Sequence, residues 1–153
     1  MKKRVYIYSI IGLIIDILTK LFMINKLPLG KSKVIIDKFF SFTMVHNTGG
    51  ACGLLSNSTI LLLVISVIFV AGFIYYIEKS KASKLEELCY GMILSGIVGN
   101  MIDRLIRGYV IDFLDFKIFG YDYPVFNFAD IFIVVGVILL VLIYIKELVW
   151  KKD

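Results

Sequence analysis

Apolar residues in this chain come in long unbroken runs rather than in the spaced stripes of a water-soluble fold. Four runs stand out, at about 5–23, 60–77, 88–106 and 125–149. Crossing a hydrocarbon core of about 30 Å takes roughly 20 helical residues, so each run is long enough to span a bilayer. Val, Ile and Phe are plentiful in the runs, yet they do not predict strands. A spanning segment must pair its own backbone groups, which leaves helices or closed barrels, and barrel strands alternate apolar with polar positions. Four helices are therefore expected. The first run follows Lys2, Lys3 and Arg4 as a cleavable leader would. It outlasts the apolar core of roughly 7–15 residues found in such leaders. Asn25-Lys26-Leu27-Pro28 after it has no small-x-small cleavage pattern, so a retained span is expected.

The segments between the runs differ in character. From about 25 to 59, Lys33-Val34-Ile35-Ile36-Asp37 and Phe39-Phe40-Ser41-Phe42-Thr43-Met44-Val45 read as short strands. Asn47-Thr48-Gly49-Gly50 then reads as a turn. From about 107 to 124 the chain reads as a short loop. The expected architecture is an all-α membrane protein in one domain, residues 1–153, with four transmembrane helices and a small extracytoplasmic β-sheet cradle.

Composition strengthens this picture. Hydrophobic residues make up 59% of the chain, against roughly 45–50% in soluble domains. The net charge is +5, which in a soluble protein would raise a nucleic-acid partner. Here the basic residues gather in short segments beside the runs, a membrane pattern, and no nucleic-acid partner is expected. Lys2, Lys3, Arg4, Lys79, Lys81, Lys84, Lys146, Lys151 and Lys152 fall on one side of the membrane; Lys26, Lys31, Lys33, Lys38, Arg104, Arg107 and Lys117 fall on the other. The first group sits in shorter segments close to helix ends, where the positive-inside bias acts, so both termini are expected in the cytoplasm. Tyr75, Tyr76, Tyr144 and Trp150 suit an aromatic belt on that face. Cys52 and Cys89 fall on opposite sides, too far apart to bridge. With His46 the lone histidine and no CxxC pair, no metal site can be assembled.

Polar residues inside the runs carry the functional signal, because such groups are costly in hydrocarbon. Asp16, Thr19 and Lys20 lie in the first run, Asn100, Asp103 and Arg104 in the third, and Asn127 and Asp130 in the fourth. Asp112 and Asp115 follow the third. The spacings i,i+3 and i,i+4 put Asp16 with Lys20, Asn100 with Asp103 and Arg104, and Asn127 with Asp130. All three groups lie near the outer helix ends, whereas a transporter places its site near the midplane. Asp16–Lys20 reads as a salt bridge, and Asn100, Asp103 and Arg104 as a buried structural network. His46 reads as a loop hydrogen-bonder. Ser95, Gly96 and Gly99 form a small-residue face for close helix packing. Asp112 and Asp130 lack a basic partner at helical spacing. Two carboxylates held together in a low dielectric share a proton, and one then serves as base and the other as acid. Spacing alone does not decide between this chemistry and a structural role, nor among Asp103, Asp112 and Asp115 as the partner of Asp130.

Five motifs in order resemble those of the lipoprotein signal peptidase family (signal peptidase II). They are Asp16-Ile17-Leu18-Thr19-Lys20, Asn47-Thr48-Gly49-Gly50-Ala51-Cys52-Gly53, Gly99-Asn100-Met101-Ile102-Asp103-Arg104, Val110-Ile111-Asp112-Phe113 and Phe126-Asn127-Phe128-Ala129-Asp130. The resemblance covers nearly the whole chain. It implies an aspartyl endopeptidase of the bacterial cytoplasmic membrane, with Asp112 and Asp130 catalytic and the active site near the outer face. It also implies that Asn47, Gly49, Asn100, Asp103, Arg104 and Asn127 line or support the site, and that Asp16 and Lys20 are structural. The implied substrate is a diacylglyceryl-modified prolipoprotein, cut just before the lipidated Cys. Globomycin-type cyclic peptides are the implied inhibitors and membrane lipids the implied surroundings. No cofactor is implied, and a monomer is expected. The first outer segment would form a cradle and part of the second a lid. Gly50, Cys52 and Ile131 depart from the family pattern. A small transporter or a non-catalytic assembly factor are the competing classes.

Overall fold

The computed structural model describes residues 2–50 and 58–150, with Trp150 described by its backbone alone. The elements run α1 (Lys3–Lys26), β1 (Ser32–Ile36), β2 (Phe40–Asn47), α2 (Thr59–Lys79), α3 (Lys84–Arg107), β3 (Val110–Ile118), β4 (Tyr121–Asp122) and α4 (Phe128–Trp150). All four helices are long and apolar enough to cross a membrane. α1, α2 and α3 extend past the apolar runs at both ends, because flanking charged and polar residues continue them toward the interface. Ser83 and Glu86 fix the start of α3 by a reciprocal capping box, and Gly108 ends it at φ +80°.

α3 is the central helix, packed against α1, α2 and α4. Its small residues make that possible. A Cβ at Gly96 would strike the Ala129 carbonyl, and one at Gly99 would strike the Asp16 carboxylate. The small-residue face thus brings α3 against the start of α4 and the polar stretch of α1. α2 is peripheral: Ile77 is its one buried residue among those described. At one end of the bundle Tyr6 donates to Glu78 at 2.8 Å. There too the Tyr90 hydroxyl meets those of Tyr76 at 3.3 Å and Tyr144 at 3.4 Å. These contacts gather the start of α1, the end of α2, the start of α3 and the end of α4, so both termini lie on one side.

The opposite end carries an antiparallel sheet in the order β1-β2-β3-β4. β1 and β2 match the expected strands within a few residues. β3 corrects the expectation of a loop over 107–124. Val110 to Leu114 are buried on both strand faces, so the alternation that marks a half-exposed strand is absent from their sequence. Met44, Ile111, Phe113 and Leu114 form a core with Met23 of α1, which seats the sheet on the bundle. β2 carries one extra residue against β3, since Phe42 pairs with Leu114 but Val45 with Asp112. Such a bulge re-aims the side chains beyond it. It sits beside Asp112.

Candidate active site

The first turn of α4 is organised by its own side chains. Asn127 precedes the helix, and its Oδ1 accepts the Asp130 N–H at 3.0 Å. The Asp130 Oδ2 accepts the Asn127 N–H at 3.1 Å. This is a capping box built from Asn and Asp, and it holds Asp130 at the helix start. Because the Asn127 carbonyl is committed to the cap, its amide donates elsewhere. Nδ2 lies 2.7 Å from Asp112 Oδ1. Asn47, at the end of β2, donates to the other Asp112 oxygen at 2.9 Å.

A second chain of contacts reaches the same pair from α1. The Lys20 ammonium is buried and lies 2.8 Å from Asp16, 2.9 Å from Asp103 and 3.0 Å from Asn100 Oδ1. An ammonium only donates, so the Asn100 carbonyl must face it. The Asn100 amide then points the other way and donates to Asp130 Oδ1 at 2.8 Å. The orientation of both Asn side chains beside the two carboxylates thus follows from a helix cap and a buried cation. Asp16 also accepts the Ala129 N–H at 3.0 Å, a further tie to the start of α4.

Asp112 and Asp130 line one cavity of about 410 Å³, with Asn47, Gly50, Asn100, Arg104 and Tyr123 among the other walls. Arg104 donates to the Gly49 carbonyl at 2.8 Å, and Asn47 accepts the Gly49 N–H at 2.9 Å. Its Nε is buried without a hydrogen-bond partner among the described residues. Burial, and next the charge of Asp130, push the Asp112 carboxyl up to about 7, against the opposing hydrogen bonds from Asn47 and Asn127. A carboxyl in that range is partly protonated near neutral pH, which suits proton transfer in either direction.

Other residues stand apart from this cavity. Asp115 accepts from Thr43 and lines a separate small cavity with Lys38, Lys117 and Asp122. Asp103 lies in the buried network around Lys20. It pairs with Lys20 and with Arg107 at 3.2 Å, while Arg104 turns to Gly49. Adjacent helix residues point about 100° apart, so Asp103 and Arg104 serve different neighbours. His46 lies on β2 rather than in a loop, with its ring stacked on Tyr109 at 3.8 Å. Burial and the nearby Arg107 charge lower its pKa. Tyr123 escaped sequence reasoning, because a lone Tyr before Pro124 carries no pattern. Arg107 belongs to the network around Lys20 too, and its i,i+4 spacing from Asp103 is the signal for it in the sequence. Of the departures, Gly50 lines the cavity, Ile131 packs on the sheet core, and Cys52 lies outside the described residues.

Comparison with known proteins gives a consistent result. The sequence model of the family described as Signal peptidase (SPase) II matches residues 8–146. One solved bacterial membrane enzyme, determined by the in meso method at 2.3 Å, superposes with a TM-score of 0.90 at 31% identity, covering 97% of this chain and 92% of that one. Another, determined by the same method at 1.9 Å, gives 0.84 at 31% identity, covering 94% and 93%.

Proposed function

The chain belongs to the signal peptidase II family, and from that premise we propose that it removes signal peptides from diacylglyceryl-modified prolipoproteins, cutting just before the lipidated Cys, with Asp112 and Asp130 as an aspartyl pair. The observation that carries this reading is their shared cavity. Both carboxylates face it, and the hydrogen bonds they accept come from amide N–H groups of Asn47, Asn100 and Asn127. Amides position a carboxylate without fixing its charge as a paired cation does, so the pair can hold one proton between them.

In the proposed reaction the ionised carboxylate takes a proton from a water as its oxygen bonds to the carbonyl carbon preceding the Cys. The protonated carboxyl stabilises the tetrahedral intermediate by hydrogen bonding. A proton then passes to the Cys nitrogen as the C–N bond breaks, and the pair returns to its singly protonated state. No metal or organic cofactor enters this scheme. The Arg104 guanidinium lines the cavity with Asn47 and Gly50, where its charge would face a substrate carbonyl. Globomycin-type peptides would compete for the same cavity. We place the termini and the 80–83 turn in the cytoplasm and the cavity at the outer interface, where a lipid-tethered bond and water meet.

The test is cleavage of a diacylglyceryl-modified prolipoprotein by wild type, Asp112→Asn and Asp130→Asn, with membrane insertion checked for each. Loss of a general acid or base costs about 10²–10⁴-fold. Both variants are expected to insert normally and to lose at least that much. Near-normal turnover by either would remove that residue from the mechanism.

A further inference from the structure

The turn between β3 and β4 has a property that the cavity chemistry does not use. Ile118 pairs with Tyr121, which leaves Phe119 and Gly120 as a two-residue turn, with φ +51° and +81°. Turns of this kind favour Asn, Asp or Gly at the first position. A bulky side chain at positive φ is strained there. Phe119 is also 105% exposed, more than any other large apolar side chain among the described residues. Strain and full apolar exposure together make this a poor tip for water.

Its surroundings point to lipid. Tyr121 and Tyr123 are 63% and 49% exposed and flank the tip. The two charges of the hairpin, Lys117 and Asp122, pair with each other at 3.0 Å, which leaves the tip with no net charge. The depth also fits. Ile118 and Tyr123 share one apolar groove of about 550 Å³ with Ile131, Val134 and Val135. Val135 is seven residues beyond the start of α4, or about 10 Å along a helix rising 1.5 Å per residue. The hairpin therefore hangs beside the part of α4 that crosses the membrane, and the exposed flank of α4 continues its apolar surface.

We propose that the β3–β4 hairpin is a wedge inserted into the bilayer beside α4, with the Phe119 ring among the lipid chains. Aromatic side chains flanking the tip then sit at the polar–apolar boundary, as Tyr commonly does. The groove between wedge and helix opens sideways into lipid and ends at Asp130. A substrate tethered by acyl chains would reach the carboxylate pair without leaving the hydrocarbon. This consequence rests on the function proposed above, whereas the insertion itself does not.

The experiment places a lone Trp at the tip, Phe119→Trp with Trp150→Phe, in vesicles containing lipids brominated along the acyl chain. Val137→Trp and Lys81→Trp, each with Trp150→Phe, serve as lipid and water references. Insertion predicts blue-shifted emission at position 119, quenching by the brominated lipids and little quenching by aqueous acrylamide. Acrylamide quenching without lipid quenching would overturn the wedge. So would shielding from both quenchers, which would mean a hairpin folded onto the protein. A second variant, Phe119→Gly, suits the positive φ and removes the ring, so folding is preserved. Removing a buried aromatic ring from its apolar surroundings is worth on the order of tenfold or more. KM for the lipid-tethered substrate in vesicles is expected to rise by about that factor, with kcat little changed. An unchanged KM would overturn the lateral route. A wild type that cleaves nothing would overturn the proposed function and leave the quenching result standing.

Discussion

Asp112 sets the expected pH behaviour of the pair. With its carboxyl at about 7, Asp112 keeps its proton through mildly acidic conditions, which supplies the one proton that the proposed pair requires. The proton is lost above that range, so kcat/KM is expected to fall on the alkaline side with an apparent pKa near 7. A rate–pH profile of the detergent-solubilised enzyme checks this. The same shift affects stability. The unfolded carboxyl titrates near about 3.9, so the folded state binds the proton more tightly. The resulting stabilisation is present below about pH 4 and is lost as pH rises through 7. Asp112→Asn removes that loss, so Tm of the variant relative to wild type should increase from pH 5 to pH 8. Asn127 separates two roles that its motif combines. Asn127→Ser keeps an oxygen for the helix cap but loses the amide donated to Asp112. Caps of this type differ from one another by only about 0.5 kcal/mol or less. Tm should therefore change little while kcat falls, and a large drop in both would mean that the cap is the dominant role.

Between elements, the buried cation of α1 is the connection that local spacing half reveals. Lys20 and Asp16 are i,i+4 on one helix, so their pairing is legible. The contacts from Lys20 to Asn100 and Asp103 bridge about eighty residues, and no local pattern contains them. The double variant Asp16→Asn with Lys20→Met removes the pair together, while Asp103 keeps Arg107 and Asp16→Asn keeps an acceptor for Ala129. The groups around the carboxylates are then Asp103, Arg104 and Arg107 from α3 and Tyr123 from the loop before α4. Without the nearby cation the charged forms of the pair are less favoured, so the rate–pH profile is expected to move to higher pH. A uniform loss at every pH would assign Lys20 to folding alone. Gly96 tests the helix approach. Overpacking costs typically about 1–3 kcal/mol, so Gly96→Ala should lower stability by that order, measured by thermal unfolding in detergent. β3 was illegible for another reason: a strand buried on both faces has no alternation to read.

At the scale of the molecule, the contacts among Tyr6, Glu78, Tyr76, Tyr90 and Tyr144 establish that the two termini share a side. Which side it is rests on the distribution of Lys and Arg. Single cysteines at Lys81 and Lys33, in a background lacking both Cys52 and Cys89, give a direct check. An impermeant maleimide added outside intact cells should label position 33 and spare position 81. The reverse pattern would overturn the placement of the cavity at the outer interface.

The sequence by itself determined how many spans there are and that their polar residues collect toward one end. Hydrocarbon admits only segments that satisfy their own backbone, and it penalises each stray charge, so these features must be written locally as long runs and rare exceptions. Its motifs also singled out Asp112 and Asp130 by resemblance, without the physical reason. Only the tertiary structure decided which groups surround them. Asp112 comes from a doubly buried strand, Asp130 from a helix cap, and their amide donors from β2, α3 and the residue before α4. The direction of each amide is set by a cation on α1 and by a backbone N–H. Those choices depend on where chains cross in space, and contacts between segments that distant leave no periodic trace along the chain.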